Sequence, residues 1–241
     1  MRQKYADEIL NKVVDDYDSI AVEFDNTRNF PWYEFEIYRE LLKKGETVLD
    51  LGCGNGRLYE SLKDFNIKYV GVDVSKELLK KAQLKYRKKD GISSAVFKEG
   101  SFLNLPIKQR MFDKVYCVAS FHHIPSRRYR LDALQNIKRV LKKDGTLIIS
   151  VWNLWQPRYR KYIWKTLLNL HKYDFGDCFI PWSKSGVMRY YHAFTKSDMR
   201  SLLNQAGYYL VDDLMVKKGS ITDSIFEAEN FIFIAKPIRN D

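Results

Sequence analysis

The sequence predicts an α/β fold, from a glycine-rich turn, two acids at strand ends and a regular alternation of apolar strands with helical segments. The apolar run 48–51 leads into a turn with glycine at every second position, Gly52, Gly54 and Gly56. Glycine tolerates backbone conformations that a Cβ forbids and removes bulk where a ligand must lie against the main chain. A helix begins at about Arg57, so its free N–H groups point into the same crevice. This pattern is typical of a loop that binds a nucleotide-type cofactor.

Two acids stand at the ends of successive strands. Asp50 lies at the end of the first strand, and Asp73 follows a second apolar strand, 68–72. An acid at the second position can accept hydrogen bonds from both hydroxyls of a ribose. A lone glycine-rich turn is also compatible with an ordinary connection between a strand and a helix, but the second acid in register favours the cofactor loop.

The remaining elements continue the alternation of strands and helices. The segment 195–206 reads as a helix, with Thr195 as N-cap and Gly207 at its stop. The other predicted ranges are a helix over 75–87 and strands over 95–98, 112–118, 145–151, 208–211 and 230–235. The sequence therefore predicts a Rossmann-like sheet of seven mostly parallel strands with helices on both faces and an antiparallel last strand.

One segment interrupts the expected order of elements. A minimal fold of this kind would pass from the fifth strand quickly to a helix and closing strands, whereas residues 153–194 come between them. This insertion lies over the carboxyl ends of the strands, where substrates enter open α/β sheets. We expect a single domain, 1–241, with N-terminal helices and a substrate lid in 1–45 and a substrate-recognition insertion in 153–194.

Composition and cysteine usage exclude several classes of protein. The 241 residues, 45% of them hydrophobic, suit one core. The first residues lack the apolar region of a signal peptide, and no apolar stretch approaches the length of a membrane span. We expect a soluble, cytoplasmic protein. The three cysteines are far apart and lack C-x-x-C spacing, which argues against a disulfide framework and a metal site.

The charge balance predicts a polyanionic partner. The chain has 41 Lys and Arg against 30 Asp and Glu, a formal net charge of +11. Two stretches concentrate the basic residues, 76–89 and 155–172, and the first can equally be the solvated face of a helix. The second has no acid and interleaves its charges with aromatic residues, which suits phosphate contact and base stacking, although part of the aromatic set must pack in the core. The basic residues expected to contact nucleic acid are Arg158, Arg160, Lys161 and Lys165.

The glycine run and several separate blocks carry a resemblance to known enzymes. The D-x-G-x-G-x-G pattern from Asp50 resembles class I S-adenosylmethionine methyltransferases. Over nearly the whole chain, the sequence resembles the wobble-uridine carboxymethyl methyltransferases of tRNA, including the methyltransferase part of the vertebrate AlkB-type fusion enzyme. The specific blocks are Thr27-Arg28 with Pro31-Trp32, Ile180-Pro181-Trp182 and Arg189-Tyr190-Tyr191-His192.

The resemblance implies S-adenosylmethionine as the cofactor. The glycines would pass its methionine part, Asp50 would help to hold its amino group, and Asp73 would accept the ribose hydroxyls. Related enzymes usually carry Asp, for the adenine amino group, where Ser101 stands. Ser101 still offers a hydroxyl group, and the backbone N–H of Phe102 becomes the more important expected contact with the adenine. Ser120 completes the implied cofactor set.

The resemblance also implies methyl transfer to the carboxylate of 5-carboxymethyluridine at the wobble position. A carboxylate is already ionised at neutral pH, so this reaction needs alignment and desolvation rather than a general base. Arg28 would bind the substrate carboxylate or an anticodon phosphate, and His122 would lie beside the transferring methyl group. Arg189, Tyr191 and His192 would form the far wall.

Several alternatives stay open at this point. Arg28 can pair instead with Asp25, one of the adjacent Tyr190 and Tyr191 can belong to the core because strand residues alternate in direction, and Trp182 can pack in a lid or stack on a base. The eukaryotic enzyme of this family works with a small zinc-binding activator protein, whose need here is open. The other candidate functions are a methyltransferase of small metabolites and a non-catalytic module that binds RNA or a protein.

Overall fold

The computed structural model describes residues 1–28, 32–87, 95–169, 171–182 and 185–239. Pro31 of the resemblance, and Lys88 and Lys89 of the first basic stretch, lie outside these residues. The strands are β1 Thr47–Leu51, β2 Lys68–Asp73, β3 Ala95–Glu99, β4 Phe112–Val118, β5 Leu141–Trp152, β6 Asp177–Pro181, β7 Met188–His192, β8 Tyr208–Lys217, β9 Ser220–Ile221 and β10 Asn230–Pro237. The helices are α1 Gln3–Ser19, α2 Ala21–Thr27, α3 Phe35–Glu40, α4 Arg57–Leu62, α5 Lys76–Lys85, α6 Arg127–Val140, α7 Pro157–Leu167 and α8 Lys196–Gln205.

The main sheet has the strand order β3-β2-β1-β4-β5-β10-β8-β9. The strands from β3 to β5 are parallel, and β10 pairs antiparallel with both β5 and β8. The predicted Rossmann-like fold with an antiparallel last strand is confirmed, and the short β9 adds one strand to the seven predicted. Because the chain winds outward in both directions from β1 and β4, a crevice opens at their carboxyl ends.

Both faces of the main sheet are covered, as the parallel arrangement requires. On β5, Leu147, Ile149 and Val151 pack into a core with α6 and α8, while Ile148 faces the opposite core with α3, α4 and α5. Alternate residues of a strand point to opposite faces, so one strand supplies both layers. The predicted cap of α8 is confirmed, because Thr195 forms a capping box with Asp198.

The segment between β5 and α8 folds as α7 followed by the antiparallel hairpin of β6 and β7. Its own apolar cluster includes Leu154, Ile163 and Ile180. Helix α1 packs on the hairpin, where Ile9 and Val13 contact Tyr190. The hairpin and the N-terminal helices therefore stand beside the carboxyl ends of the parallel strands. No helix in the described part of the chain has the length and apolar character needed to cross a bilayer.

Candidate active site

A cleft opens at the carboxyl ends of β1, β2 and β4, between the N-terminal helices and β7. Its acidic half consists of the glycine loop after β1 with Asp50 and Asp73. Its basic half contains Arg28, Arg57 and Arg189. The two halves meet in one continuous cavity.

The glycine loop passes so close to the end of β4 that a side chain would not fit. Gly52 has φ +77°, and a Cβ placed on it would lie 2.3 Å from the Cβ of Ser120. The Ser120 hydroxyl donates to the Leu51 carbonyl at 2.6 Å, which ties the two strand ends together. Gly56 has φ +77° and precedes α4, and a Cβ there would meet the rings of Tyr86 and Phe97, so this glycine serves loop packing.

Asp73 holds the glycine loop against the start of α5. Its Oδ2 accepts from the Gly54 N–H at 2.7 Å, and its Oδ1 accepts from the Ser75 N–H at 2.9 Å. Burial raises the pKa of Asp73, while these N–H groups oppose that rise. A carboxylate oxygen has two lone pairs, so both oxygens can still accept a hydroxyl group from a ligand in the cleft.

Asp50 has one oxygen without a partner in a nearly fully buried position. It is 2% exposed, and its Oδ2 accepts from the Tyr69 hydroxyl at 2.6 Å. Its Oδ1 is buried without a hydrogen bond in the described structure. Burial raises the pKa of Asp50 to about 7. An unpaired buried carboxylate oxygen is costly, so this atom is suited to a cationic or N–H donor group of a ligand.

Ser101 and Phe102 line the cleft beyond β3. The Ser101 Oγ accepts from the Asn104 N–H at 3.0 Å, which leaves its hydroxyl proton for a ligand. The Phe102 carbonyl accepts from the Asn136 side chain at 3.0 Å. These contacts fix the turn at the end of the cleft where the resemblance places an adenine ring.

The three arginines of the basic half have no acidic partner within ion-pair distance among the described residues. The Arg57 guanidinium lies 4.8 Å from the Trp32 ring centroid. Burial, followed by the charge of Arg28, lowers the pKa of Arg57 to about 10. Burial and Arg189 lower the pKa of Arg28. The basic half is therefore a concentration of partly desolvated positive charge, in which Glu34 and Asp50 act on Arg57 only from beyond ion-pair distance.

Trp182 stands between two of these arginines. The guanidinium of Arg28 lies 5.5 Å and that of Arg189 4.6 Å from its ring centroid, both within range of a cation–π interaction. Arg189 is 5% exposed, donates to the Tyr17 hydroxyl at 3.4 Å, and has an Nε without a hydrogen-bond partner in the described structure. The Asp25 carboxylate accepts from Asn55 instead of pairing with Arg28.

The two adjacent histidines have fixed and different proton positions. His122 Nδ1 accepts from the Trp152 backbone N–H at 3.3 Å, which places the proton of the neutral ring on Nε2. His123 Nδ1 faces the Tyr190 carbonyl at 2.7 Å and therefore carries the proton, and its Nε2 accepts from the Tyr17 hydroxyl at 2.7 Å. Burial lowers the pKa of His122 well below its ordinary value and that of His123 to about 3. His122 thus offers an uncharged N–H group, and this Nε2 has no partner in the described structure.

The structure brings most of the predicted site residues to the cleft. Gly56 and His192 are not among its lining residues, and His192 Nδ1 bonds to Asp177 at 2.7 Å behind β7. The predicted site residues that line the cleft are Arg28, Asp50, Gly52, Gly54, Asp73, Ser101, Phe102, Ser120, His122, Arg189 and Tyr191. Sequence reasoning missed Arg57 and Tyr17. The position of Arg57 directly after the third glycine was the available signal.

Comparisons with known proteins agree with this geometry. The family model described as a methyltransferase domain matches residues 49–149. A Schizosaccharomyces pombe protein named tRNA (carboxymethyluridine(34)-5-O)-methyltransferase is 27% identical, over 98% of this chain and 99% of that protein. A Xenopus tropicalis protein with the same enzyme name is 33% identical, over 64% of this chain but 22% of its own length.

Solved structures share the fold at low sequence identity. A structure of S-adenosylmethionine-dependent methyltransferases from Methanosarcina mazei matches with a TM-score of 0.70 and 20% identity, over 85% of this chain and 98% of that one. A Haloferax volcanii putative methyltransferase, solved in complex with the Trm112 methyltransferase activator, matches with a TM-score of 0.68 and 18% identity, over 95% and 99%.

S-Adenosylmethionine suits the cleft on structural grounds. Its amino group would meet the unpaired Oδ1 of Asp50, its methionine part would pass the loop that cannot take a side chain at Gly52, and its ribose would meet Asp73. This geometry and the methyltransferase-domain model that matches residues 49–149 identify the chain as a class I S-adenosylmethionine-dependent methyltransferase, similar in sequence to curated proteins named tRNA (carboxymethyluridine(34)-5-O)-methyltransferase.

Proposed function

We propose that this enzyme methylates the carboxylate of 5-carboxymethyluridine at the wobble position of tRNA, giving the methyl ester. The observation that carries the proposal is the basic half of the cleft, where Arg28, Arg57 and Arg189 have no acidic partner among the described residues. Arg189 is buried and the other two arginines are half-buried, and buried charges are normally paired, so a ligand that brings negative charge would complete this site. The names of the sequence relatives supply the identity of that ligand.

The groups that face the substrate side are suited to an anion rather than to proton removal. Arg189 offers its free Nε–H, and neutral His122 offers its Nε2–H. Methylation of an amine or a hydroxyl group would require a proton to leave, whereas a carboxylate oxygen is a nucleophile without losing one. Catalysis can then come from alignment and from exclusion of water.

In this proposal, the three arginines bind two different carboxylates. S-Adenosylmethionine supplies the methyl group on a sulfonium and also carries a carboxylate of its own. Arg57 begins α4 directly after the glycine loop and is assigned to that carboxylate. Arg28 and Arg189, which share Trp182, are assigned to the substrate carboxylate. One carboxylate oxygen attacks the methyl carbon, the carbon–sulfur bond breaks with its electron pair on sulfur, and no proton moves.

Helix α7 is the proposed contact with the tRNA backbone. Its basic side chains Arg158, Arg160, Lys161 and Lys165 are exposed. Arg158 and Lys161 lie over neighbouring tyrosine rings of the same helix. Trp164 is 62% exposed beside them, so the helix offers both charge for phosphates and a ring for base stacking.

A small activator protein of the Trm112 kind is the proposed protein partner. The related Haloferax volcanii structure holds such an activator. The edge strand β3 supports this proposal because Val96 is 46% exposed there, and Leu84 of the adjoining helix α5 is 74% exposed. Exposed apolar side chains beside the last strand of a sheet form a surface that proteins normally cover.

The direct test is nucleoside mass spectrometry of tRNA that carries the free wobble carboxylate, after incubation with the enzyme and S-adenosylmethionine. We expect a gain of one methyl group on 5-carboxymethyluridine, and no gain on tRNA with an unmodified wobble uridine. The reaction is run with and without a Trm112-type activator. A cofactor-binding enzyme that methylates no tRNA carboxylate under either condition would contradict the proposed substrate.

A further inference from the structure

A second polar cluster lies behind β7, on the side away from the cleft. At its centre Asp177 is fully buried at the start of β6. Its Oδ1 accepts from the Tyr190 hydroxyl at 2.7 Å, from His192 Nδ1–H at 2.7 Å and from Arg130 at 3.2 Å. None of these four side chains is among the residues that line the cleft.

This cluster joins the elements that form two walls of the cleft. Arg130 on α6 also donates from Nε to the Ile124 carbonyl at 2.9 Å, next to the histidine segment. Asp177 Oδ2 accepts from the Asp174 N–H at 2.8 Å, and the Asp177 carbonyl accepts from the Thr166 hydroxyl of α7. The hairpin, α6, α7 and the segment after β4 thus share one set of buried contacts.

Strand alternation connects the cluster to the cleft. On β7, Tyr190 and His192 face Asp177, whereas Arg189 and Tyr191 face the cleft. The Tyr190 carbonyl accepts from His123, His123 accepts from Tyr17, and Tyr17 accepts from Arg189. Asp177 on one side of β7 is therefore connected to the Arg189 guanidinium on the other side by a chain of hydrogen bonds that passes through the side chain and the carbonyl of Tyr190.

We infer that Asp177, Arg130, Tyr190 and His192 are positioning residues, which fix β7 so that the Arg189 guanidinium and the Tyr191 hydroxyl point into the basic half of the cleft. This inference rests on the proposed function for the identity of the substrate, but the geometry it concerns exists without substrate. A fully bonded buried cluster has few alternative arrangements, because each one leaves a polar group unpaired. Small displacements of substrate-binding groups are costly to turnover.

The test compares variants that remove one bond of the cluster. Tyr190→Phe removes a hydroxyl group, His192→Leu removes the donor, and His192→Asn returns an N–H close to the position of Nδ1. Tyr208→Phe is the matched control, because its buried hydroxyl donates to the Leu134 carbonyl and neither residue lines the cleft. We expect Tyr190→Phe and His192→Leu to lower kcat/KM for tRNA by about 10-fold, in line with the sensitivity of oriented groups. Affinity for S-adenosylmethionine should stay within about 2-fold of wild type, and His192→Asn should recover most of the loss.

A second measurement reads the position of Arg189 without turnover. The Arg189 Nε–H signal in a nitrogen-15 NMR spectrum, assigned by its loss in Arg189→Lys, should shift or broaden in Tyr190→Phe and stay in place in Tyr208→Phe. An unchanged signal together with unchanged kcat/KM would overturn the inference. Equal losses of cofactor affinity and turnover in Tyr190→Phe and His192→Leu would also overturn it. If wild type leaves tRNA unmethylated while the NMR signal responds, the proposed function fails and the positioning role stands.

Discussion

In the acidic half of the cleft, the polar groups come from the ends of two neighbouring strands, whereas those of the basic half come from distant parts of the chain. Asp50 is the last residue but one of β1, and Asp73 ends β2 and holds the glycine loop through the Gly54 N–H. Arg28 follows α2, and Arg189 lies on β7, 161 residues later by their numbers. The two come together through Trp182.

The two halves also carry opposite charges, and each contains a buried polar atom that has no hydrogen-bond partner in the described structure. The acidic half has an unpaired carboxylate oxygen on Asp50, and the basic half has an unpaired guanidinium nitrogen on Arg189. In the proposed function, the amino group of the cofactor meets Asp50, the carboxylate of the cofactor meets Arg57, and the anionic substrate meets Arg28 and Arg189. Each half therefore has an unsatisfied buried atom that a ligand group of the opposite polarity would stabilise on binding.

The largest expected effect is on the basic half. Arg189→Gln should lower kcat/KM for the tRNA substrate by about 100- to 1,000-fold, since truncating one partner of a buried charge pair costs about 2–5 kcal/mol. Cofactor affinity should change little, because Arg189 is assigned to the substrate. Arg189→Lys should not restore activity, since an ammonium group cannot reproduce the guanidinium stacked on Trp182. Steady-state kinetics measure the effect on the tRNA substrate, and calorimetric titration measures the effect on cofactor binding. Equal losses of kcat/KM and of cofactor affinity would show that the two halves do not act separately.

The acidic half should respond in the reverse way. Asp50→Asn should weaken S-adenosylmethionine binding about 10- to 100-fold at pH 8, the range expected for a hydrogen bond to a charged group. The same change should raise the Tm of the empty protein at pH 8. The pKa of Asp50 is raised in the folded state, so its contribution to stability is present at low pH and is lost as pH rises through about 7. Differential scanning fluorimetry without cofactor measures the rise in Tm, and the same measurement with cofactor shows the weaker binding. A lower Tm for the empty variant than for the empty wild type would contradict the destabilising role of the ionised Asp50.

Cofactor affinity of the wild-type protein should depend on pH through the same carboxyl group. With a pKa of about 7 in the empty protein, about one tenth of Asp50 is ionised at pH 6 and about nine tenths at pH 8, so affinity should rise about 10-fold over that range. Above pH 8 the rise should end and reverse, because the amino group of the cofactor then loses its proton. Titration at several pH values measures this rise, with Asp50→Asn as the control that removes the contribution of Asp50. A rise of the same size in both proteins would assign it to another group.

The smallest expected effect is on the exposed helix α7. Replacing Arg158, Lys161 and Lys165 by Gln should weaken tRNA binding about 3- to 10-fold at moderate salt and reduce the slope of log K against log salt by about 2, as expected when phosphate contacts are lost. The matched control replaces Lys76, Lys80 and Lys85 on α5, where Lys80 pairs with Glu77. Filter binding over a salt series checks this. A larger loss from the α5 set would move the tRNA surface to that helix.

The succession of strands and helices along the chain, the glycine loop and the two acids of the cleft could be predicted from the sequence because each is a local pattern. A strand that carries Asp50 near its end and stops before Gly52 needs only adjacent residues to specify it. The same holds for the cap of α8. The short β9 and the hairpin of β6 and β7 were not predicted, since their pairing depends on the surface that neighbouring elements provide.

The sequence by itself determined the glycine loop and the two acids that form the acidic half of the cleft. Only the tertiary structure decided which way the side chains of Arg189-Tyr190-Tyr191-His192 point. Arg189 and Tyr191 line the cleft, whereas Tyr190 and His192 form hydrogen bonds with Asp177. The alternation of a strand requires adjacent residues to face opposite ways but does not say which set faces which wall. That choice is made by Asp177 and Arg130, because a buried carboxylate and guanidinium must find their partners on the side of the strand where they lie.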